Sequence, residues 1–281
     1  MAKGPLTVST VPDGIAGHWG LGRLPEPEAL TGGYHAVLLR LGDVVLRSEE
    51  RAPESVAWEH ELLAWLAPEV PEVVLPLTAE DGTTFLVRDG RVHTLLPYVE
   101  GDPGVVDDAA AVLARVHARG AAWPVARPRP GRPAYADLDW EENDWWSWRA
   151  VPKPPELVRA FEHVRGWIAS EPELVVTPIH GDPARQNVIA SRGRTVGLVD
   201  WEWARLDWAG IELAIAAHTF AEEDPRSFVA AYRDAGGPGE PDVLEEGLRI
   251  TLLANALYAL TRGGEDCDWV RYLLAALRDL A

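Results

Sequence analysis

Three polar side chains in one short stretch have the types and the spacing of a phosphoryl-transfer site. Asp182 ends the tripeptide His180-Gly181-Asp182, Asn187 follows five residues later, and Asp200 comes thirteen residues after that. In a loop of the form His-x-Asp-x-x-x-x-Asn, the Asp can accept the proton of an attacking hydroxyl, while the Asn and a later Asp can hold magnesium ions on nucleotide phosphates. The ordered set therefore favours phosphoryl transfer over an isolated metal pair, a capped turn or a strand-end cap.

A β-hairpin is predicted around the last two of these residues. The apolar segments 187–190 and 195–199 flank the turn-forming sequence Ser-Arg-Gly-Arg at 191–194, a pattern typical of two antiparallel strands. A hairpin of this length brings Asn187 and Asp200 to the same end. That is the geometry that two ligands of one metal cluster need.

The stretch from 179 to 214, IHGDPARQNVIASRGRTVGLVDWEWARLDWAGIELA, resembles the aminoglycoside phosphotransferase family, whose members share a protein-kinase-like fold. Further segments fit in the expected order, so that the resemblance covers nearly the whole chain. It implies that Asp182 is the catalytic base, that Asn187 and Asp200 are Mg²⁺ ligands, and that His180 braces the loop.

The same stretch departs from the family pattern in three places. Pro183 stands where the family commonly has Leu, Asp207-Trp208-Ala209 replaces a usual Gly-Asp-Pro, and Glu212-Leu213-Ala214 replaces Asp-Leu-Ala. These changes lie outside the base and metal positions. They concern the start of the following helix rather than the chemistry.

The composition indicates a soluble chain without a disulfide framework. With 281 residues and 47% hydrophobic side chains, the chain is long enough for about two lobes with sizeable cores. The single cysteine, Cys267, cannot form an internal disulfide, which fits a reducing compartment. The first residues carry no apolar signal core, and no apolar run reaches the roughly 18 residues of a membrane span. We therefore expect a cytoplasmic protein that does not enter a membrane.

The net charge of −18, from 26 basic and 44 acidic side chains, bears on the kind of partner. It argues against nucleic acid, whose phosphates require basic patches. It favours a cationic partner, because a field of one sign raises the local concentration of the opposite charge. The alternative is that the acidic surface provides solubility, or reflects a salt-adapted or high-GC host.

Pattern and analogy together predict an α+β fold with the two-lobe plan of protein kinases. A strand-rich, nucleotide-binding lobe over 1–101 ends in a hinge, and a helical lobe over 102–281 carries the catalytic loop and the acceptor site. In the first lobe we expect a hairpin around Gly42-Asp43, a helix from an N-cap at Ser55 to about Ala67, and strands at 73–75, 84–87 and 93–99. In the second lobe we expect helices near 107–119, 155–170, 209–222, 226–235, 241–262 and 267–280.

Two pairs of residues in the first lobe are candidates for holding the phosphates of a nucleotide. Gly32 and Gly33 lie where backbone N–H groups can approach phosphates because no Cβ intrudes, although the same pair is equally ordinary as a plain turn. Arg47 and Glu59 match the strand Lys and the helix Glu that kinases pair. The competing interpretation is an exposed Arg–Glu pair, which contributes little.

The segment 95–101, Leu-Leu-Pro-Tyr-Val-Glu-Gly, resembles the hinge between the lobes. Adenine needs one backbone acceptor and one backbone donor there. Pro97 has no N–H and can supply only its carbonyl. Val99 is then the expected N–H donor.

A Trp-rich acidic segment is the candidate acceptor site. Four of the 13 tryptophans lie between positions 140 and 148, interleaved with acids. Acids among aromatic rings suit a polycation, through ion pairs and cation–π contacts. The competing interpretation is a helix whose tryptophans enter the core and whose acids form a solvated face. On the first interpretation the acceptor-binding residues are Asp139, Glu141, Glu142, Asp144 and Trp145, with Glu202 beside the metal site.

Together with the resemblance, these features predict an ATP- and Mg²⁺-dependent O-phosphotransferase, with GTP as a second candidate donor. It would phosphorylate a hydroxyl of a cationic antibiotic, either an aminoglycoside or a basic cyclic peptide of the capreomycin–viomycin type, and thereby confer resistance. One alternative is a metabolite kinase of the same fold that acts on choline, homoserine or a sugar. Another is a pseudokinase that binds nucleotide without turnover. A metal hydrolase built on His180 and Asp182 is the remotest, because no His/carboxylate cluster with ligand spacing accompanies them.

Overall fold

A computed structural model describes residues 11–30, 36–104, 108–170, 174–221, 224–238, 244–262 and 267–280. It shows an α+β fold that divides into two compact units. The first unit comprises Met1–Val106, Arg129–Gly131 and Gln186–Asp200, and the second comprises Asp107–Pro128, Arg132–Arg185 and Trp201–Ala281. The first is rich in strands and the second in helices, as the sequence predicts.

An antiparallel sheet of five strands forms the centre of the first unit. The strands are β1 Glu28–Ala29, β2 Ala36–Leu41, β3 Val44–Glu49, β4 Leu86–Arg88 and β5 Arg91–Pro97. Their order in the sheet is β1-β2-β3-β5-β4. The β2–β3 connection turns at Gly42, whose φ of +70° suits glycine, so the predicted hairpin is confirmed. The sheet buries Leu39, Leu41, Leu46 and Leu95 together with Ile15 of the short helix α1, Ile15–His18.

Helix α2, Pro53–Leu66, belongs to the same unit. Pro53 lies in the first turn, where its fixed φ and missing N–H are tolerated, and Ala52 precedes it as the N-cap residue. The expected N-cap at Ser55 is therefore wrong. Ser55 lies inside the helix and is buried, and the helix ends close to the predicted position.

The predicted hairpin around the metal candidates is present. Strands β8 Val188–Ser191 and β9 Arg194–Leu198 pair antiparallel, and β6 Asp102–Pro103 adds a third strand beside β8. Arg192 and Gly193 in the turn have φ of +52° and +76°, as a tight hairpin turn requires. The N–H of Val199 donates to the Asn187 carbonyl over 2.9 Å. Asn187 and Asp200 therefore lie at the same end of the hairpin, as predicted.

The second unit consists of helices and one pair of strands. Strand β7, Val176–Ile179, pairs antiparallel with β10, Arg205–Trp208. The helices are α3 Ala109–Ala121, α4 Pro155–Ala169, α5 Ala209–Phe220, α6 Pro225–Asp234, α7 Leu244–Thr261 and α8 Asp268–Asp279. Each predicted helix is confirmed. The ends that fall on described residues differ from the prediction by at most two residues, whereas the predicted ends at 107, 222 and 241 lie outside the described residues. Within the described ranges, no helix combines the length and the apolar character that crossing a bilayer demands.

Several side chains of the Trp-rich segment are buried in the core of the second unit. Trp140 and Trp146 are buried in it, and Trp148 stacks on Phe161 of α4 with ring centroids 3.8 Å apart. The segment forms 3₁₀ turns and an isolated bridge rather than a helix. The helical interpretation of this segment is therefore wrong, although its tryptophans do enter the core.

Several strands differ from the sequence prediction, since β1, β6 and β10 were not predicted and one predicted strand is absent. Residues 73–75 form a single bridge, from Val73 to Leu198, because Pro76 follows and cannot extend a ladder of hydrogen bonds. Strand β10 was not predicted: its Arg-Leu-Asp-Trp sequence alternates polar and apolar residues, but two of its four residues are charged, which is unusual for a buried strand. Its two charged residues, Arg205 and Asp207, are buried and pair with each other over 2.7 Å.

Candidate active site

The loop that carries Asp182 follows β7 and turns at Gly181. Gly181 has a φ of +85°, and a Cβ there would clash with the backbone carbonyl of Trp203, so that only glycine fits. His180 is fully buried, and its ring centroid lies 4.6 Å from that of Trp201. The Nδ1 atom of His180 accepts from the backbone N–H of Asp182 over 3.3 Å. This contact is the bracing role that the resemblance implies for His180.

Glu212 on α5 anchors the backbone of this loop. Its carboxylate accepts from the N–H of His180 over 2.8 Å and from the N–H of Gly181 over 2.5 Å. The same carboxylate lies 2.8 Å from Nε2 of His117, whose Nδ1 lies 2.8 Å from the Tyr232 hydroxyl. The sequence analysis missed this role. The sequence signal for this role was the acidic residue of Glu212-Leu213-Ala214. We interpreted this departure from the family pattern as a feature of the helix start, but α5 begins normally at Ala209 and Glu212 instead holds the catalytic loop.

The Glu212 carboxylate is fully buried and yet anionic. Burial by itself raises the pKa of Glu212, but the hydrogen bond and the charge of His117 outweigh burial and lower that pKa below its ordinary value. Hydrogen bonds to a charged acceptor are about twice as strong as those between neutral groups. The loop backbone is therefore held by strong hydrogen bonds.

Asp200 and Asn187 fit a Mg²⁺ site that has few protein ligands. Asn187 is buried, whereas the side chain of Asp200 is 41% exposed. Asp200 has a φ of +62°, a left-handed conformation that is rare outside glycine and concentrated at functional sites. Mg²⁺ usually takes one or two protein carboxylates and fills its shell with water and phosphate oxygens. In the parts of the chain that the structure describes, no group of three His, Cys, Asp or Glu residues could enclose a metal ion.

Arg47 lies in the middle of the sheet and close to Asp200. It is placed on β3 opposite Leu38 of β2 and Thr94 of β5. Its Nη2 atom lies 3.2 Å from Asp200 Oδ1 and 3.2 Å from Glu49 Oε2. Arg47 is 6% exposed, so it is not the surface residue of the competing interpretation.

Glu59 has other partners than the ones expected from the kinase pattern. Its Oε2 atom lies 2.5 Å from Arg51 Nη1 and 2.6 Å from Arg129 Nη2. Arg129 comes from the Pro-rich segment 124–133 and is buried against α2, where its Nε donates to the Ser55 hydroxyl over 3.0 Å. Nothing in the local sequence pattern of this segment indicates that it returns to α2.

The hinge candidates lie at and after the end of β5. Pro97 is exposed and stands opposite Val44 of β3. Val99 is half-buried against Gly197 of β9, where a Cβ would lie 2.9 Å from a Val99 methyl group. The remaining nucleotide candidates, Gly32 and Gly33, lie outside the described residues.

Three of the four acids of the Trp-rich segment make local contacts. Asp139 Oδ1 accepts from the backbone N–H groups of Glu141 (2.8 Å) and Glu142 (3.3 Å), which forms an Asx turn. Glu142 accepts from the Ser147 hydroxyl over 2.5 Å, and Glu141 pairs with an arginine of α4 over 2.9 Å. Asp144 is exposed. Their role in acceptor binding stays a prediction.

Trp145 and Glu202 lie together with Trp203 in a group that we call the aromatic corner. The rings of Trp145 and Trp203 are 6.2 Å apart and inclined by 72°. The guanidinium carbon of Arg132 lies 4.1 Å from the Trp203 centroid and 5.8 Å from that of Trp145, and its Nη2 lies 3.3 Å from Glu202 Oε1. Because Trp203 also contacts Gly181, the aromatic corner adjoins the catalytic loop. In this structure the cation that the aromatic corner holds is the guanidinium of Arg132.

Comparison with known proteins gives one family match and several similar folds. The family model described as the phosphotransferase enzyme family (APH) matches residues 27–246. A homoserine kinase of Gluconobacter oxydans (strain 621H) is 26% identical over 206 residues, which are 69% of this chain and 64% of that protein. This chain therefore matches less than two thirds of the length of that relative.

Two solved structures illustrate the similarity in fold. A microcompartment-associated aminopropanol kinase has a TM-score of 0.70 at 20% identity, covering 94% of this chain and 92% of the other. The aminoglycoside phosphotransferase APH(4)-Ia has a TM-score of 0.68 at 16% identity, covering 95% of each chain. At these identities the likeness shows the fold alone, and it confirms the predicted protein-kinase-like class.

Proposed function

This chain belongs to the phosphotransferase enzyme family, and on that premise we propose that it transfers the γ-phosphoryl group of ATP or GTP to a hydroxyl of a small cationic acceptor. The observation that carries the proposal is the hold of Glu212 on the loop of Asp182. A catalytic base must be placed within a few tenths of an ångström to be useful. A pseudokinase that only binds nucleotide has no need of such a hold.

Asp182 has the chemistry of the base in this reaction. A carboxylate within hydrogen-bond reach of the acceptor hydroxyl orients that hydroxyl and accepts its proton as the phosphoryl group is transferred in line. Asn187 and Asp200 are the residues that would hold Mg²⁺, which neutralises charge on the phosphates when it is bound. The guanidinium of Arg47 is always charged and matches phosphate oxygens in pairs, so it would grip the phosphates.

The aromatic corner supports a cationic acceptor. Two indole rings and the Glu202 carboxylate surround the Arg132 guanidinium, and this arrangement supports a cationic ligand at the same place. The corner adjoins the catalytic loop through Trp203 and Gly181. The net charge of −18 would attract the same kind of molecule from solution.

An antibiotic is the first candidate for the acceptor. A structural neighbour, the amicoumacin kinase hAmiN, was solved in complex with AMP-PNP, Ca²⁺ and Ami, and a mutant of APH(4)-Ia was solved with AMP-PNP and hygromycin B. By analogy we propose an ATP-type donor, a divalent cation and an aminoglycoside or a basic cyclic peptide of the capreomycin–viomycin type. Phosphorylation in the cytoplasm, where ATP is available, would then confer resistance.

A small amino alcohol is the second candidate. The most similar proteins named above include a homoserine kinase and an aminopropanol kinase, and both names denote molecules that carry an amine and a hydroxyl. Choline shares the cation and the hydroxyl. A neutral sugar does not, and the aromatic corner gives it no advantage.

A panel assay tests the proposal. The purified protein is incubated with Mg²⁺ and ATP or GTP, in turn with aminoglycosides, capreomycin, viomycin, homoserine, aminopropanol and choline, and the products are analysed by mass spectrometry for an added phosphoryl group. We expect transfer to at least one amine-bearing alcohol. Nucleotide binding without transfer to any of them would favour a pseudokinase, and transfer only to neutral sugars would overturn the cationic acceptor.

A further inference from the structure

Buried ion pairs in the first unit form one chain of alternating charge. It runs from Asp200 to Arg47, Glu49, Arg51, Glu59 and Arg129, through contacts of 3.2, 3.2, 2.8, 2.5 and 2.6 Å. Guanidinium groups and carboxylates alternate along it, so the positive and negative charges balance. The order of these contacts shows which carboxylates neutralise the charge of each arginine.

Glu49 is the strand neighbour of Arg47. Both lie on β3 two residues apart, so their side chains emerge on the same face of the sheet. The Nη2 atom of Arg47 lies 3.2 Å from Glu49 Oε2 on one side and 3.2 Å from Asp200 Oδ1 on the other. Glu49 is 2% exposed. The carboxylate of Glu49 therefore aims the guanidinium at the proposed Mg²⁺ ligand.

The charge of Glu59 is compensated by two other arginines. Burial by itself raises the pKa of Glu59, but the charges of Arg51 and Arg129, and more weakly that of Arg47, bring it well below its ordinary value. Arg129 is completely enclosed, with its guanidinium carbon 5.4 Å from the Trp58 ring centroid. Glu59 and Arg129 thus form the inner end of the chain of charges, whereas Arg47 and Asp200 form the outer end.

We propose that Glu49, and not the helix carboxylate Glu59, is the residue that positions Arg47 for the nucleotide phosphates, and that Arg51 and Arg129 reserve Glu59 for holding α2. The inference rests on the proposed function, because it assigns a positioning residue within that nucleotide site. It departs from the strand–helix pair that the kinase pattern led us to expect.

The energetics of burial give the reason. If Asp200 held Mg²⁺, Arg47 would share that carboxylate with the metal, and a buried cation without its own carboxylate strongly destabilises the fold. Glu49 remains beside Arg47 throughout, since both side chains project from the same strand. The planar guanidinium can contact Glu49 with one edge while it presents other N–H groups to phosphate oxygens. A lysine in the same place has no such second edge.

Nucleotide binding by matched isosteric variants tests the proposal. The dissociation constant of Mg²⁺–AMP-PNP is measured by calorimetry, together with the melting temperature, for the wild type, Glu49→Gln and Glu59→Gln. We expect Glu49→Gln to weaken binding about tenfold or more, the size seen when an outer-shell partner of a ligand is lost. We expect Glu59→Gln to lower the melting temperature while the dissociation constant stays within about twofold.

A double-mutant cycle shows whether Glu49 acts through Arg47. In Arg47→Gln the further change Glu49→Gln should add almost no loss of nucleotide affinity, because the residue to be positioned is gone. Glu49→Asp keeps the charge that Arg51 also contacts but shortens its reach, so it should give an intermediate affinity and a folded protein. Additive losses in the cycle, or a larger loss of affinity in Glu59→Gln than in Glu49→Gln, would overturn the proposal alone. A wild type that binds no nucleotide would overturn it together with the proposed function.

Discussion

Glu212 Oε2 and His117 Nε2 lie 2.8 Å apart, and neither side chain reaches solvent. Through this pair, helix α3 is tied to α5 and to the backbone of the loop that carries Asp182. A buried carboxylate that holds backbone N–H groups is costly to neutralise, because the donors lose a charged acceptor. The relationship therefore links the stability of the second unit to the precision of the proposed base.

Replacing Glu212 with Gln tests this link. We expect Glu212→Gln to lower kcat by about tenfold or more while the KM for ATP changes little, since the loop of Asp182 loses its charged anchor.

The same variant should change how stability depends on pH. The folded-state pKa of Glu212 lies below its ordinary value of 4.5. The carboxylate therefore stabilises the fold above about pH 4.5, and this stabilisation is lost as the pH falls through the lower folded value. The variant should therefore be less stable at pH 7 and show a shallower loss of stability in acid. Melting curves from pH 7 to pH 3 measure this, with the exposed Glu162→Gln as control; equal acid dependence in the wild type and Glu212→Gln would contradict it.

Replacing Asp182 with Asn tests the base. We expect kcat to fall by about a hundredfold or more, the scale of a lost general base, while nucleotide affinity stays almost unchanged. Steady-state kinetics and calorimetry with AMP-PNP measure the two quantities separately. Asp234→Asn, at an exposed position of α6, is the matched control. Near-normal turnover in Asp182→Asn would remove Asp182 from the mechanism.

Replacing Asp200 and Asn187 one at a time tests the metal site. Asp200→Ala should weaken Mg²⁺-dependent nucleotide binding more than Asn187→Ala, because a carboxylate neutralises the ion and an amide does not. Titration of Mg²⁺ at fixed nucleotide concentration gives the order of the two effects. The metal assignment fails if the wild type binds nucleotide equally well with Mg²⁺ and with a chelator.

The stability of the first unit should depend on pH through His60. Its Nδ1 lies 2.7 Å from the Thr84 hydroxyl, and burial, partly opposed by Glu59, lowers the pKa of His60 from 6.5 to about 4. The unfolded chain therefore binds a proton at a higher pH than the folded chain. Stability should fall by about 3 kcal/mol as the pH drops from about 6.5 to about 4. His60→Gln should flatten this part of the profile of unfolding free energy. Parallel profiles for the wild type and His60→Gln would contradict the assignment.

The aromatic corner makes a prediction about the acceptor. Arg132 occupies the place that a cationic acceptor would take, so Arg132→Gln should lower the acceptor KM by about threefold, the scale of one exposed cation–π contact. The KM for ATP should not change. Arg226→Gln, at an exposed position of α6, is the matched control. A higher acceptor KM in Arg132→Gln would mean that Arg132 supports the site instead of occupying it.

Local patterns were sufficient to predict the helices, the first hairpin and the hairpin that brings Asn187 and Asp200 together. In each of these the deciding contacts are close in sequence, so periodicity and turn chemistry carry the information. The predicted strand at 73–75 was wrong. Its apolar run is typical of a strand, but the proline that follows limits its pairing to one bridge.

Long-range partners of buried charges could not be predicted. Arg129 reaches Glu59 from 70 positions away, and Glu212 reaches His117 from 95. Nothing in a single sequence marks which distant acid and base will meet, because the pairing is decided by how the elements pack. The contact of Arg47 with Glu49 on its own strand, over 3.2 Å, was likewise not predicted.

The composition of the first unit has a consequence for how the chain folds as it is made. Its ion pairs and its second sheet need Arg129 and the segment Gln186–Asp200, which leave the ribosome long after residue 106. At about 5 to 20 residues per second, this interval lasts roughly 5 to 20 s. Until Arg129 has been made, Glu59 lacks that partner, and until the end of the interval Val73 lacks its bridge to Leu198. A fragment cut at residue 101 lacks these partners and should therefore not reach the native arrangement by itself.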